Sequence, residues 1–246
     1  MSAAFEPWLH VVGIGAAGLA SLSPAARAAI EAGEVLVGGE RHLAMVPEHP
    51  GARLLWRRPL EATLPDLEAL RGRRVVVLAS GDPLWFGVGE LLVRHFDLSE
   101  LRVLPAPSTF SLVCARLGWS LPEVACQSAH SRPLSALCRH LAPGARLILL
   151  SRDGATPSAV AQLLDGLGFG ASRLWVFEHL DGATERVTEG TAATWRDRRC
   201  AALNTVAIEC IADSDAAVYG TAPGLPDAAF EADEGMLTKR EVRAAT

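Results

Sequence analysis

The apolar positions of this chain gather in short, nearly continuous runs, separated by stretches with apolar residues at helical spacing. The runs predict buried strands near residues 8–12, 35–37, 53–56, 74–79 and 101–104. The run at 74–79 is the clearest, being nearly all β-branched or Leu. One helix is expected to open at Ser23-Pro24 and run to about residue 31, with Ser as cap and Pro at the first helical position. A second spans 60–70, and a third starts at Ser108 or Thr109 and ends at Gly118. A further segment alternates in the same way. It has a helix at 134–141, a strand at 146–150, a helix at 157–167 capped by Thr156 and stopped by Gly168, and strands at 174–178, 185–188 and 204–211. The pattern predicts an α/β protein with a mostly parallel first sheet and a second, smaller α/β domain. The expected domains are 1–118 and 119–212, followed by an acidic, Ala-, Gly- and Pro-rich tail at 213–246.

Composition narrows the function classes. The 246 residues are 50% hydrophobic, enough for one large core or two modest ones. A net charge of −5 disfavours a nucleic-acid partner, which needs a concentrated basic face. The five cysteines (114, 126, 138, 200 and 210) are odd in number and include no CxxC pair, which argues against a zinc site or a disulfide framework. A reducing cytoplasm is therefore expected. No apolar run is long enough to span a bilayer, and residues 1–7 lack the pattern of a signal peptide.

Three motifs stand at the carboxyl ends of predicted strands, the edge where open parallel sheets bind ligands. The first is Gly13-Ile14-Gly15-Ala16-Ala17-Gly18, between a strand and a helix. A dinucleotide reading needs an acid at the end of the second strand, but Gly38-Gly39 stands there, so an NAD enzyme is disfavoured. The second is Ser80-Gly81-Asp82-Pro83-Leu84-Trp85-Phe86-Gly87, where Gly81 permits a positive φ and Pro83 stiffens the turn. An isolated Asp82 would serve as an Asx-turn or cap. The third is Pro107-Ser108-Thr109-Phe110, whose hydroxyls suit either a carboxylate or plain helix capping.

In this order and spacing the three motifs resemble the two-domain tetrapyrrole methyltransferase family, over roughly residues 8–212. Many members have Gly-Pro-Gly in the first loop, where this chain has Gly15-Ala16-Ala17. Stretches 11–18, 34–43 and 78–87 are most similar to the cobalamin-synthesis branch whose members are fused to a second methyltransferase and decarboxylase domain. Residues 235–244 resemble the opening of that second domain. The resemblance implies a parallel-sheet N-terminal domain, a smaller mixed-sheet C-terminal domain, and a cofactor between them. It implies S-adenosylmethionine as methyl donor, with S-adenosylhomocysteine as product. The reaction implied is C-methylation of a precorrin macrocycle, at carbon 5 of precorrin-6B/6Y. The implied partners are a fused or separate C15-methyltransferase/decarboxylase domain and a second copy in a homodimer, with neither membrane nor nucleic acid. The alternatives are another substrate on the same fold (another tetrapyrrole, RNA or protein) or a non-catalytic tetrapyrrole-binding module.

Carried onto this sequence, the resemblance assigns the cofactor to Gly81, Asp82, Pro83, Leu84, Phe86, Ser108 and Thr109. From the second domain it adds Leu150, Ser151, Leu203 and Asn204. The macrocycle carries many carboxylates, which Arg binds bidentately. Arg41, Arg132 and Arg152 are the substrate candidates, together with Gly15 and His42. Arg57 and Arg58 also lie in or beside a predicted loop. An electron-rich macrocycle carbon attacks the methyl directly, so no covalent nucleophile is required. His42, His130 and Glu178 are possible bases, and none is assigned as catalytic.

Overall fold

Five parallel strands build the first sheet of the computed structural model, which describes residues 7–130, 132–195, 197–214, 216, 218, 227 and 238–245. They are β1 (Leu9–Ile14), β2 (Val35–Gly38), β3 (Ala52–Leu55), β4 (Val75–Ser80) and β5 (Leu101–Leu104), in the order β3-β2-β4-β1-β5. The strongest apolar run is thus the central strand. Alternate residues of β4 enter opposite cores. Val75 and Val77 pack with Leu67, Leu92 and Phe96. Val76 and Leu78 pack with Ala26, Ile30 and Leu43 on the other face. Burial on both faces explains why the run reads as continuous rather than alternating.

The covering helices are α1 (Pro24–Ala32), α2 (Glu40–Ala44), α3 (Leu64–Glu68) and α4 (Gly89–His95). Ser23 caps α1 as expected, accepting the Ala26 N–H. The helix expected at 60–70 is split into a 3-10 turn at Leu60–Thr63 followed by α3. Pro65 has no N–H to give back to the preceding turn, so one continuous α-helix cannot form there. α5 (Thr109–Leu117) ends at Gly118 with φ +66°.

The second sheet is mixed, in the order β6-β7-β10-β8-β9. Its strands are β6 (Val124–Ser128), β7 (Arg146–Leu150), β8 (Arg173–Glu178), β9 (Arg186–Thr191) and β10 (Asn204–Glu209). β6 runs parallel to β7, and the other pairings are antiparallel. Its core joins Leu147, Leu149, Val160, Leu164, Val176, Val206 and Trp195. α6 (Thr156–Gly166) supplies Val160 and Leu164. Thr156 is its first residue rather than its cap. The capping acceptor is Asp153, whose Oδ1 takes the N–H groups of Ala155 and Thr156 at 2.9 and 3.0 Å. Residues 134–141, expected as an α-helix, wind as a 3-10 helix at Leu134–His140.

The chain divides into two compact units. One comprises the residues up to Leu112 with Leu180–Ala183, and the other comprises Val113–His179 with the residues from Thr184. The division falls within α5. Of the tail at 213–246, a short helix, Arg240–Ala245, is described. Of the segment likened to the opening of a second domain, residues 235–237 lie outside the described residues. Among the described residues, no helix is long and apolar enough to cross a membrane.

Candidate active site

In the first unit, three strand ends close on one another at the carboxyl edge of the sheet. Gly81, at φ +54°, donates its N–H to Ile14 O, and its carbonyl accepts from Ala106 N–H at 3.1 Å. A Cβ on Gly13 would lie 1.9 Å from Gly81 O and 2.7 Å from Ala106 N. The backbones of β1, β4 and the β5 exit can meet only because residue 13 has no side chain. Gly15 differs: a Cβ there would find its nearest neighbour, Asp181 Oδ2, at 3.6 Å. Gly15 is therefore not demanded by packing.

The turn after β4 is held by its own atoms. Asp82 Oδ1 accepts the Leu84 N–H at 2.9 Å, an Asx-turn, and the Asp82 carbonyl accepts from Trp85 N–H. Pro83 is buried, and its carbonyl accepts from Gly89 N–H at 2.9 Å. Phe86 takes φ +55°, a left-handed conformation that costs an aromatic residue energy. It is held there with its N–H on Glu90 Oε1 and its ring 5.9 Å from Phe110. Leu84 and Phe86 point apolar surface outward, 46% and 37% exposed. Ser108 caps α5: its Oγ accepts the Ser111 N–H at 3.1 Å and pairs with Ser111 Oγ at 2.9 Å. Thr109 is the first residue of that helix and is half-buried.

Beside this turn lies a second polar group. Arg41 and His42 stand in α2, which starts where β2 ends at Gly38-Gly39. Arg41 Nη2 donates to Ser80 Oγ at 2.8 Å and reaches His42 Nε2 at 3.1 Å, and Ser80 Oγ lies 2.9 Å from His42 Nε2. Both neighbours of Nε2 are donors, so it carries the lone pair. Burial, and then the positive charge of Arg41, push His42 down to about 4. His42 is neutral at physiological pH.

In the second unit, the antiparallel pairing of β7 with β10 puts Leu150 opposite Thr205. Leu150, Ser151, Leu203 and Asn204 consequently share one end of the sheet. Ser151 N–H donates to Asn204 O at 3.4 Å, and Leu203 O accepts from His179 N–H. Asn204 Nδ2 donates to Asp153 O and Ala201 O, which fixes its amide. Two polar atoms here, Ser151 Oγ and Asn204 Oδ1, are buried without a partner among the described residues. Such atoms are rare in native proteins and mark places where a ligand or water completes the bonding.

The remaining candidates fare differently. Arg57 is taken up by Asp66 at 2.7 Å. Arg58, Arg132, Arg152 and His130 are exposed. Partial desolvation of the ring, and then the positive charge of Arg152, lower the His130 pKa. Glu178 is 3% exposed and fully engaged, with Oε2 on Arg186 and Oε1 accepting the Ala201 N–H at 2.5 Å. Burial pushes its carboxyl up, but the Ala201 N–H and Arg186 outweigh that and hold it below its ordinary value. Glu178 ties down the 198–203 loop and is no free base. Sequence reasoning missed Ser80 as the partner of Arg41 and His42, since nothing in the sequence links residues so far apart.

The pattern of the tetrapyrrole (corrin/porphyrin) methylases matches residues 8–195. The chain is 48% identical over 242 residues to a precorrin-6Y C(5,15)-methyltransferase [decarboxylating] of Sinorhizobium sp, covering 98% of this chain and 58% of that protein. It is 35% identical over 179 residues to a cobalt-precorrin-7 C(5)-methyltransferase of Salmonella typhimurium, covering 73% of this chain and 88% of that one. Among solved structures, a cobalamin biosynthesis precorrin-6Y methylase from Archaeoglobus fulgidus aligns at TM-score 0.62 and 25% identity, over 82% of this chain and 97% of that one. The chain belongs to the tetrapyrrole methylase family, methyltransferases that draw their methyl from S-adenosylmethionine. It spans about 58% of the length of the fused relative.

Proposed function

We propose that this chain methylates carbon 5 of a precorrin macrocycle, at the precorrin-6B/6Y stage of cobalamin synthesis. One comparison carries the reading. The relative named for both carbons is covered over only 58% of its length, whereas the relative named for C(5) alone is covered over 88%. On this reading, the part held in common is the part that a C(5) enzyme needs. The second methylation and the decarboxylation then belong to a partner domain, fused or separate. A cytoplasmic homodimer is part of the same reading.

The residues present fit the methyl donor. Within the second unit, Ser151 Oγ and Asn204 Oδ1 are open to a polar ligand, with Leu150 and Leu203 beside them. Within the first unit, Gly81, Asp82 and Pro83 form a stiff turn at the sheet edge, and the exposed faces of Leu84 and Phe86 offer apolar cover to a bound donor. Ser108 and Thr109 bring further polar groups at the start of α5. When bound, S-adenosylmethionine supplies an electrophilic methyl on a positive sulfur. The protein's own work is to hold the donor and the macrocycle carbon in line, for which positioning is worth up to about 7–11 kcal/mol.

The test is incubation of the chain with methyl-labelled donor and a precorrin-6 macrocycle. Label in the macrocycle at carbon 5, located by NMR, supports the reading. Label at another carbon, or binding without transfer, rejects it.

A further inference from the structure

We propose that Arg41 anchors a carboxylate of the macrocycle, and that Ser80 and His42 are positioning residues that hold its guanidinium ready. The proposal rests on the tetrapyrrole reading above and names how this chain grips that substrate. Three observations meet here. First, no carboxylate among the described residues forms an ion pair with Arg41, whose recorded contacts are all neutral. Most other arginines of this unit that make recorded side-chain contacts bond to an acid or to backbone carbonyls, as with Arg57 on Asp66, Arg71 on Glu100 and Arg53 on three carbonyls. Second, Ser80 Oγ and His42 Nε2 both engage the same nitrogen, Nη2. The rest of the guanidinium fork is left to meet a planar anion bidentately, and little side-chain freedom remains to be lost when it does. Third, Ser80 immediately precedes Gly81-Asp82-Pro83, so the anchor sits at the ligand edge of the sheet.

The state of His42 suits the role. Being neutral, it accepts from Arg41 instead of repelling it. The groups facing this imidazole are Arg41 from its own helix and Ser80 from β4. A macrocycle rich in acetate and propionate arms offers the complementary charge.

Titrations of the full chain test the anchor, using a precorrin-6 macrocycle as free acid and as methyl ester. Arg41→Gln is expected to weaken binding of the free acid by about tenfold to a hundredfold, the worth of a charged hydrogen-bonded contact. Binding of S-adenosylhomocysteine is expected to stay within about twofold, which also shows that the variant is folded. The ester is expected to bind both proteins alike. Arg41→Lys, which keeps charge but not the fork, should fall between. For the positioning role, His42→Gln keeps an acceptor and should retain affinity, while His42→Leu should lose it. Equal affinity of the free acid for wild type and Arg41→Gln overturns the anchor, and so does an equal loss for acid and ester. Methyl transfer is scored separately. Transfer to carbon 5 with unchanged acid affinity in Arg41→Gln rejects the anchor alone. Arg41-dependent binding without transfer rejects the methylation reading alone.

Discussion

Ser108 and Ser151 are both buried hydroxyls beside strand ends, but only Ser108 has a partner among the described residues. The two should therefore respond oppositely to the same substitution. Ser108→Ala removes a helix cap and is expected to cost about 1 kcal/mol of stability, read as a lower urea midpoint. Ser151→Ala removes an unsatisfied hydroxyl, so the ligand-free protein should lose nothing in the same urea melt as wild type. Its cost should appear in S-adenosylhomocysteine affinity, as a loss of about threefold to tenfold by calorimetry. An unchanged affinity would take Ser151 out of the cofactor site. Asp82 lies between the two cases, because its carboxylate already closes an Asx-turn. Asp82→Asn preserves an acceptor for the Leu84 N–H and should hold the turn, so any affinity it loses reports on charge. Hydroxyls and a carboxylate at strand ends are visible in a sequence. Whether each is already satisfied depends on neighbours that only the folded chain brings near.

At the scale of elements, the glycines of the first loop separate packing from ligand contact. Gly13→Ala would drive a methyl into the carbonyl of Gly81, with backbone on both sides and no flexible side chain to give way. It should destabilise by about 3 kcal/mol or prevent folding. Gly15→Ala meets nothing closer than 3.6 Å and should leave the urea midpoint unchanged. A similar loss from both would show that the loop is constrained by something other than this contact. Glu100 offers a pH test of the turn before β5. It accepts from Arg71 Nε and from Trp8 Nε1 at 2.8 and 2.9 Å. The bond to Arg71 first, then that to Trp8, hold its carboxyl at about 2 against an ordinary 4.5. A depressed carboxyl stabilises above its ordinary pKa, and that contribution is lost as pH falls through the native value. Glu100→Gln should thus lower stability at neutral pH, with the gap to wild type closing between about pH 4.5 and pH 2. A gap independent of pH would mean that the side chain acts by packing alone.

The same scale shows which elements the sequence reveals. The first-sheet strands were all legible: β1, β2 and β4 because burial on both faces leaves apolar runs that little else produces, and the exposed or half-buried edge strands β3 and β5 from shorter apolar stretches. β6 was not, since Val-Ala-Cys-Gln-Ser is a half-buried edge strand with one β-branched residue. α2 and α4 were also missed. They are short, and each buries few side chains, so no full helical period of apolar residues develops. At 134–141 the apolar positions Leu134, Leu137 and Leu141 fit either helix type, and only backbone hydrogen bonds decide for the 3-10 form.

For the whole molecule, the decisive quantity is how much of the fused relative's work this chain can do. Each unit has its own sheet and core, and the family match runs from residue 8 to residue 195, across both. The family match thus spans both units, and the chain covers 58% of the fused relative's length. Decarboxylation and a second methylation are different tasks: one breaks a carbon–carbon bond, and the other presents a carbon on the opposite part of the ring. A site that holds one macrocycle carbon in line with the donor's methyl gains its rate from that single alignment. Under the proposed carbon-5 reading, the expected product carries one added methyl and retains every carboxyl group. Mass spectrometry of the product after exhaustive reaction with excess donor measures both at once. Loss of carbon dioxide, or a second methyl, would place that chemistry within these 246 residues and overturn the proposed assignment to carbon 5 alone.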